Sequence, residues 1–341
     1  MSDYLADLLD QPIALRDTLA GLGDLSAVRP LAGRLASGEL RRVVLTGMGA
    51  SYYALHPVYL SLIARGLTVQ MVETAELIHH APALMEPRTL IVAVSQSGRS
   101  VETLILLDRI RGRSPLLAVT NTADSPLAAQ AEAVVLTHAG VESTVSCKTY
   151  VATLAALAVL GDALAGHDTA RTLAELASVP DLAARYLANW ETHVAALSRR
   201  LAGIRHVIIA GRGTSLAAAG TAGLIIKEAA HFPAEGMSSA AFRHGPFEMV
   251  SPEMFVLVYA GGEPTIALNA RLVADVLAAG GQAALVQESP EADAFALPPS
   301  PASARPVLEI LPTQMLSLAL AQLHGHEAGR FVRATKITAT E

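Results

Sequence analysis

Residues Thr89 to Thr103, TLIVAVSQSGRSVET, hold the chemistry-bearing side chains around which the chain is organised. Leu90 to Val94 is a short apolar run rich in β-branched residues and fits a buried parallel strand. Ser95, Gln96, Ser97, Gly98, Arg99 and Ser100 follow, mostly small and hydroxylated. After them Val101, Leu104, Ile105 and Leu107 recur at helical spacing. A strand therefore runs into a hydroxyl-rich turn that opens a helix. Helix N-terminal N–H groups with several hydroxyls make a site for an anion, and a phosphate monoester is the natural guest. A serine N-cap in an ordinary βα turn would carry the same residues.

Other candidates lie further along. Lys227-Glu228 falls late in an otherwise apolar helical stretch. A carboxylate there is expensive unless used or paired, and burial would raise its pKa toward that of a proton shuttle; a salt-bridged Glu at a helix end is the bland reading. His244 stands in FRHGP, between Arg243 and a Gly-Pro turn, as a proton-transfer residue or a turn histidine. His79-His80 reads as a surface pair at a helix end. His324, His326 and Glu327 have a metal-like spacing, but no second cluster completes a site. In the tail RFVRATKITATE, Lys336 could form an imine with a carbonyl sugar or simply be solvated.

The elements that must position these residues alternate. Strands are expected at 41–46, 68–72, 89–94, 115–120 and 133–137, with helices between them, which implies a parallel sheet covered on both faces. Residues 3–37 read as helical, with Pro12 starting a second helix. Residues 145–165 and 169–203 read as helices, with Pro180 near the seam. Then the pattern restarts: RHVIIAGRGTS at Arg205–Ser215 aligns without a gap on RRVVLTGMGAS at Arg41–Ser51. Further strands are expected at 254–260, 282–286 and 306–310. A surface loop is expected over 288–304 and a last helix over 314–324. Neither Gly-rich turn completes GxGxxG, because Tyr52 and Leu216 stand at the third position. These turns instead let backbone approach a ligand, with Ser51 as a donor, or, in the second copy, serve packing alone.

Composition narrows the classes. The chain has 341 residues, 52% hydrophobic and 4% aromatic, so Ala, Val, Leu and Ile fill a large core. The net charge is −6, with no basic run, which argues against nucleic acid. The single cysteine, Cys147, excludes an internal disulfide and suits a reducing cytoplasm. The N-terminus has no signal-peptide pattern, and the apolar segment Tyr150–Leu160 is too short to span a membrane.

Together these motifs resemble the sugar isomerase (SIS) superfamily, in particular the isomerase domain of glucosamine-6-phosphate synthases. The likeness is carried by the Gln11-Pro12 lead, GMGAS, SQSGRS, the SCKTY segment, GRGTS, Lys227-Glu228 with AEG and HGP behind it, and the Lys336 tail. It implies an α/β fold of two tandem SIS (flavodoxin-like) units, each a parallel sheet flanked by helices. The division expected is a helical lead 1–38, a phosphate-binding unit 39–180, a catalytic unit 181–328 and a tail 329–341. By the resemblance, Ser51, Ser95, Gln96, Ser97 and Ser100 hold a sugar phosphate, and Val145 lines the sugar. Glu228 moves a proton between C1 and C2, and His244 opens the ring from the neighbouring subunit of a homodimer. Lys336 forms a Schiff base. Neither metal nor cofactor is implied, and no nucleic acid or membrane partner. The glutaminase domain of the synthases has no counterpart in this sequence. Thr221, Ile225 and Arg99 depart from the synthase pattern, as in stand-alone deaminase and deglycase relatives. A non-catalytic sugar-phosphate sensor and an ammonia-dependent synthase are the alternatives.

Overall fold

The computed structural model describes residues 1–290, 293–333, 335–338 and 340; Glu291 and Ala292 of the 288–304 segment, and Ala334, Ala339 and Glu341 of the tail, lie outside the described residues. Two compact units are present. One comprises residues 13–142, 148–178 and 334–341, the other residues 1–12, 143–147 and 179–333.

The first unit is built on five parallel strands: β1 Arg42–Gly47, β2 Val69–Glu73, β3 Thr89–Val94, β4 Leu116–Thr120 and β5 Ala133–Leu136. Their spatial order is β2-β1-β3-β4-β5. All six residues of β3 and all five of β4 are buried, as an apolar run without alternation requires when helices cover both faces. Edge strand β2 is only half-buried. In this order the chain's direction of winding reverses between β1 and β3, where Gly47 pairs with Val94. A crevice opens beyond the carboxyl ends of strands at such a switch point, and both the Gly47–Ser51 turn and the Ser95–Ser100 turn leave from it.

The second unit repeats the plan with β6 His206–Gly211, β7 Ala234–Ser238, β8 Met254–Tyr259, β9 Gln282–Glu288 and the two-residue β10 Ala296–Leu297, in the order β10-β9-β8-β6-β7. Strands β7 and β10 escape the sequence pattern. Ala-Glu-Gly-Met-Ser has little β-propensity, and β7 is an edge strand held by its ladder to β6. The strand expected at 306–310 is instead helical: Arg305–Leu308 and Leu311–Leu323 are helices. Pro306 and Pro312 lie in their first turns, where a missing N–H costs nothing. Residues 305–323 are also the one stretch among the described residues long and apolar enough to cross a membrane, and 89% of it is buried inside the fold.

Pro12 does not start a new helix. Asp3–Gly21 is continuous through it. A proline leaves the carbonyl four residues earlier without its N–H donor, and here the side-chain amide of Gln11 donates to that Leu8 carbonyl at 2.9 Å. Gln11 and Gln314 also exchange amide hydrogen bonds at 2.9 and 3.0 Å, both fully buried. Two amides that satisfy each other can be buried without penalty.

The helix Leu216–Ala230 carries Glu228 and lies unusually close to β7. A methyl on Gly223 would stand 2.5 Å from the Gly236 nitrogen, and one on Gly236 would stand 2.0 Å from the Ala219 carbonyl oxygen. Both obstacles are backbone, so neither can turn aside. Gly236→Ala is therefore expected to destabilise the chain by about 3 kcal/mol or more in urea unfolding. Gly33→Ala, in a helix where a methyl meets nothing within 4 Å, is expected to be neutral or mildly stabilising.

Candidate active site

The Ser95–Gly98 turn continues β3 for one more ladder bond, Ser95 N–H to the Val119 carbonyl at 3.1 Å. Ser95 Oγ then accepts the Gly98 N–H at 3.1 Å, and Ser97 Oγ accepts the Arg99 N–H at 3.2 Å. A hydroxyl that accepts from backbone keeps its own O–H to donate. The turn thus fixes two serines in place and leaves their protons for an incoming acceptor. The carbonyl of Gln96 accepts from Asn121 N–H and from the hydroxyls of Thr120 and Thr122 at 3.1 to 3.3 Å, which ties the turn to the end of β4. Gly98 has φ +60°, and a Cβ there would stand 2.4 Å from Ser125 Oγ, so the turn admits only glycine.

Ser100 is the N-cap of the helix Val101–Ile110, yet its hydroxyl makes no capping bond; it pairs with Thr103 Oγ1 at 2.8 Å. The first N–H of that helix, Val101, donates to the Thr338 carbonyl of the C-terminal tail at 3.1 Å. Fewer free N–H donors therefore stand at this helix end than the sequence implies, because the tail has taken one. Arg99 turns away to the Asp124 carbonyl at 2.9 Å and its carboxylate at 3.4 Å. Ser51 is half-buried in the short helix Gly49–Tyr53 that follows β1.

The same tail brings Lys336 into this unit. Its Nζ lies 2.6 Å from Glu142 Oε2, and the Glu142 side chain is fully buried. Thr149 donates to that carboxylate twice, N–H to Oε1 at 3.0 Å and Oγ1 to Oε2 at 2.6 Å. Thr149 is the second residue of the buried helix Lys148–Leu164, so Glu142 also meets the positive end of its dipole. Glu142 and Gln96, with Asn121, Thr122, Gly140 and His138 among others, line one open cavity of about 750 Å³. Gln96 of the serine-rich turn and the partner of Lys336 thus face the same space. Sequence reading missed Glu142; the available signal was an acid placed just ahead of an apolar helix.

In the other unit, Glu228 is half-buried rather than buried, at the end of its helix. Thr221 and Ile225, two turns and one turn before it, are fully buried, and Thr221 Oγ1 has no partner among the described residues. His244 is exposed. It caps the short helix Ser239–Arg243 through its N–H to the Ala241 carbonyl at 3.0 Å and precedes Gly245. Val145 is fully buried in the 143–147 segment, where Ser143 N–H donates to Asp7 at 2.9 Å. His324 packs on Phe232 and His326 on His231, with ring centroids 4.9 and 5.1 Å apart. No group of three or more His, Cys, Asp or Glu side chains among the described residues is arranged to hold a metal ion.

The second Gly-x-Gly turn ends differently from the first. Ser215 Oγ donates to Glu309 Oε1 at 2.7 Å, while Glu309 Oε2 is buried without a partner. Burial pushes the Glu309 carboxyl up from its ordinary 4.5 to about 7, against the Ser215 hydrogen bond and Arg305, which favour its charge. A carboxyl whose folded pKa exceeds its unfolded one loses stability as pH rises from the unfolded to the folded value. Here that window is about pH 4.5 to 7, and a shift of this size amounts to about 3 kcal/mol. Glu309→Gln is expected to unfold at higher urea than the parent at pH 8 and to show no such gain at pH 5.

A family model described as SIS domain matches residues 39–163 and 200–319, the spans that hold the two sheets. The isomerizing glutamine–fructose-6-phosphate aminotransferase of Mycolicibacterium smegmatis is 30% identical over 360 residues, covering 96% of this chain and 56% of the relative. The chain thus spans about half the length of the curated relatives it matches. Among solved structures, the C-terminal domain of glucosamine-fructose-6-phosphate aminotransferase from Francisella tularensis superposes with a TM-score of 0.86 at 21% identity, covering 97% of this chain and 98% of that one. Glucosamine-6-phosphate deaminase from Thermotoga maritima gives 0.78 at 18% identity, covering 99% and 100%. At these identities the structural likeness bears on the fold.

Proposed function

The chain belongs to the SIS domain family, and from that premise we propose that it is a phosphosugar isomerase or deaminase. Its substrate is a hexose or amino-sugar 6-phosphate, and it transfers a proton between C1 and C2 of the open-chain sugar. The observation that carries this reading is the single cavity shared by Gln96 of the serine-rich turn and Glu142, the ion-pair partner of Lys336. A serine-rich turn and the carboxylate partner of a lysine beside one space suit a substrate with a phosphate at one end and a carbonyl at the other. The names of the relatives, an isomerizing aminotransferase and a deaminase, describe chemistry of that kind in those proteins.

In this reading Ser51, Ser95, Gln96, Ser97 and Ser100 donate to the phosphate oxygens. Lys336 Nζ bonds to C2 of the keto sugar, whose oxygen leaves as water, and holds the open-chain ketose as an iminium until water or ammonia adds to C2 and releases the amine. Glu228 then moves a proton between C1 and C2 of the released ketose or its imine, a step that needs one positioned base. Val145 borders the sugar. His244 donates a proton to the ring oxygen as the ring opens; its exposure in this chain supports service to a second copy in a homodimer. The buried apolar residue Ile225 and the outward-turned Arg99 favour a substrate set different from that of the aminotransferases. The compartment that fits this metabolism and the lone reduced Cys147 is the cytoplasm.

Ammonia release from glucosamine, galactosamine and fructosamine 6-phosphates, with fructose 6-phosphate as the isomerisation control, tests the proposal. Turnover of at least one of these is expected. Glu228→Gln and Lys336→Ala are expected to lower kcat by about a hundredfold or more while calorimetric binding of the sugar phosphate changes little. Variants as active as the parent would overturn the mechanism. Tight binding with no turnover of any compound would identify a sugar-phosphate sensor instead.

A further inference from the structure

Lys336 lies on a short tail, and a lysine side chain carries a strongly hydrated charge on a flexible four-carbon stem. A tail can orient its own backbone: Thr335 Oγ1 closes onto the Ile337 carbonyl at 2.7 Å, and Thr338 accepts from Val101. Neither contact directs the amine. The 2.6 Å ion pair to Glu142 does, and Glu142 is itself fixed by two hydrogen bonds from Thr149 in the first turn of the Lys148–Leu164 helix. That helix is buried along nearly its whole length, so the carboxylate is attached to one of the most rigid elements of its unit. The pair is charge-assisted, and the carboxylate sits at the positive end of the helix dipole.

We propose that Glu142 is the positioning residue for Lys336. Anchored on the helix by Thr149, and itself lining the cavity that Gln96 also lines, it holds Nζ, and with it the tail against the Val101–Ile110 helix. This rests on the reading of Lys336 as the imine-forming lysine. A carboxylate that served only to cap the Lys148–Leu164 helix would hold Thr149 equally well without contact to the tail, and the two roles separate experimentally. In Glu142→Gln the side-chain amide retains an acceptor for Thr149 but loses the charge that holds the ammonium.

The probe is fructose 6-phosphate, incubated with the full chain and cyanoborohydride, and the readout is the rate at which the reduced adduct forms on Lys336 by mass spectrometry. The parent is expected to give the adduct and Lys336→Ala none. Glu142→Gln is expected to form it at least tenfold more slowly, with the calorimetric Kd for the probe within threefold of the parent. Thr149→Val, which loosens the anchor but leaves the carboxylate, is expected to fall between. Trapping of Glu142→Gln at the parental rate would overturn the proposal. So would a loss of probe binding in proportion to the loss of trapping, the signature of a purely structural role. A parent chain that converts the probe without ever yielding an adduct removes the reading of Lys336, and this proposal with it, before any Glu142 variant is made.

Discussion

A parallel sheet buried on both faces has only its ends available for chemistry. Every residue of β3, β4 and β8 is buried, so no side chain of these central strands reaches solvent through a face. What remains is the carboxyl edge, where the ladder runs out and backbone groups need new partners. The features of functional interest in the first unit hang from that edge: the Gly47–Ser51 turn from β1, the Ser95–Ser100 turn from β3, and the Asn121–Thr122 pair from β4. The strand order concentrates them further, because the reversal between β1 and β3 keeps their outgoing turns from crossing and leaves a gap between them.

The polar groups that this architecture buries are handled one at a time. Gln11 and Gln314 answer each other, and Gln11 also repairs the helix around Pro12. Tyr4 reaches Ser317 at 3.1 Å and Tyr259 reaches Thr313 at 2.7 Å, so the polar residues of the innermost helix are occupied. Glu142 is satisfied by a helix N-terminus and an ammonium together. Other buried polar atoms, among them Glu309 Oε2, Glu102 Oε2 and Thr221 Oγ1, have no hydrogen-bond partner among the described residues, and there the fold accepts a cost.

Legibility in the sequence followed the range of the interactions. The strand, serine-rich turn and helix from Thr89 to Thr103 could be read because each step is local: an apolar run, small residues and a 3.6-residue recurrence. The repeat of Arg41–Ser51 in Arg205–Ser215 could be read because two copies of one local pattern reinforce each other. The pairing of Glu142 with Lys336 spans 194 positions and leaves no periodic trace. Nor does the Thr338 carbonyl that occupies the Val101 N–H, since backbone groups have no sequence signature. The continuity of the first helix depended on one side-chain amide, and β7 on pairing to a neighbour. Both are tertiary facts that override local propensity.

The two Gly-x-Gly-x-Ser turns began as equivalent halves of one pattern and end with opposite occupancy. No hydrogen bond of the Ser51 hydroxyl is seen among the described residues, whereas Ser215 already serves Glu309, an acceptor supplied from within the chain. An anion arriving at the second turn would have to displace a carboxylate lodged in the interior. Under the proposed function, duplication of the fold has therefore not duplicated its capacity: each chain saturates with one sugar phosphate, and the binding isotherm of an isolated chain is that of a single class of site.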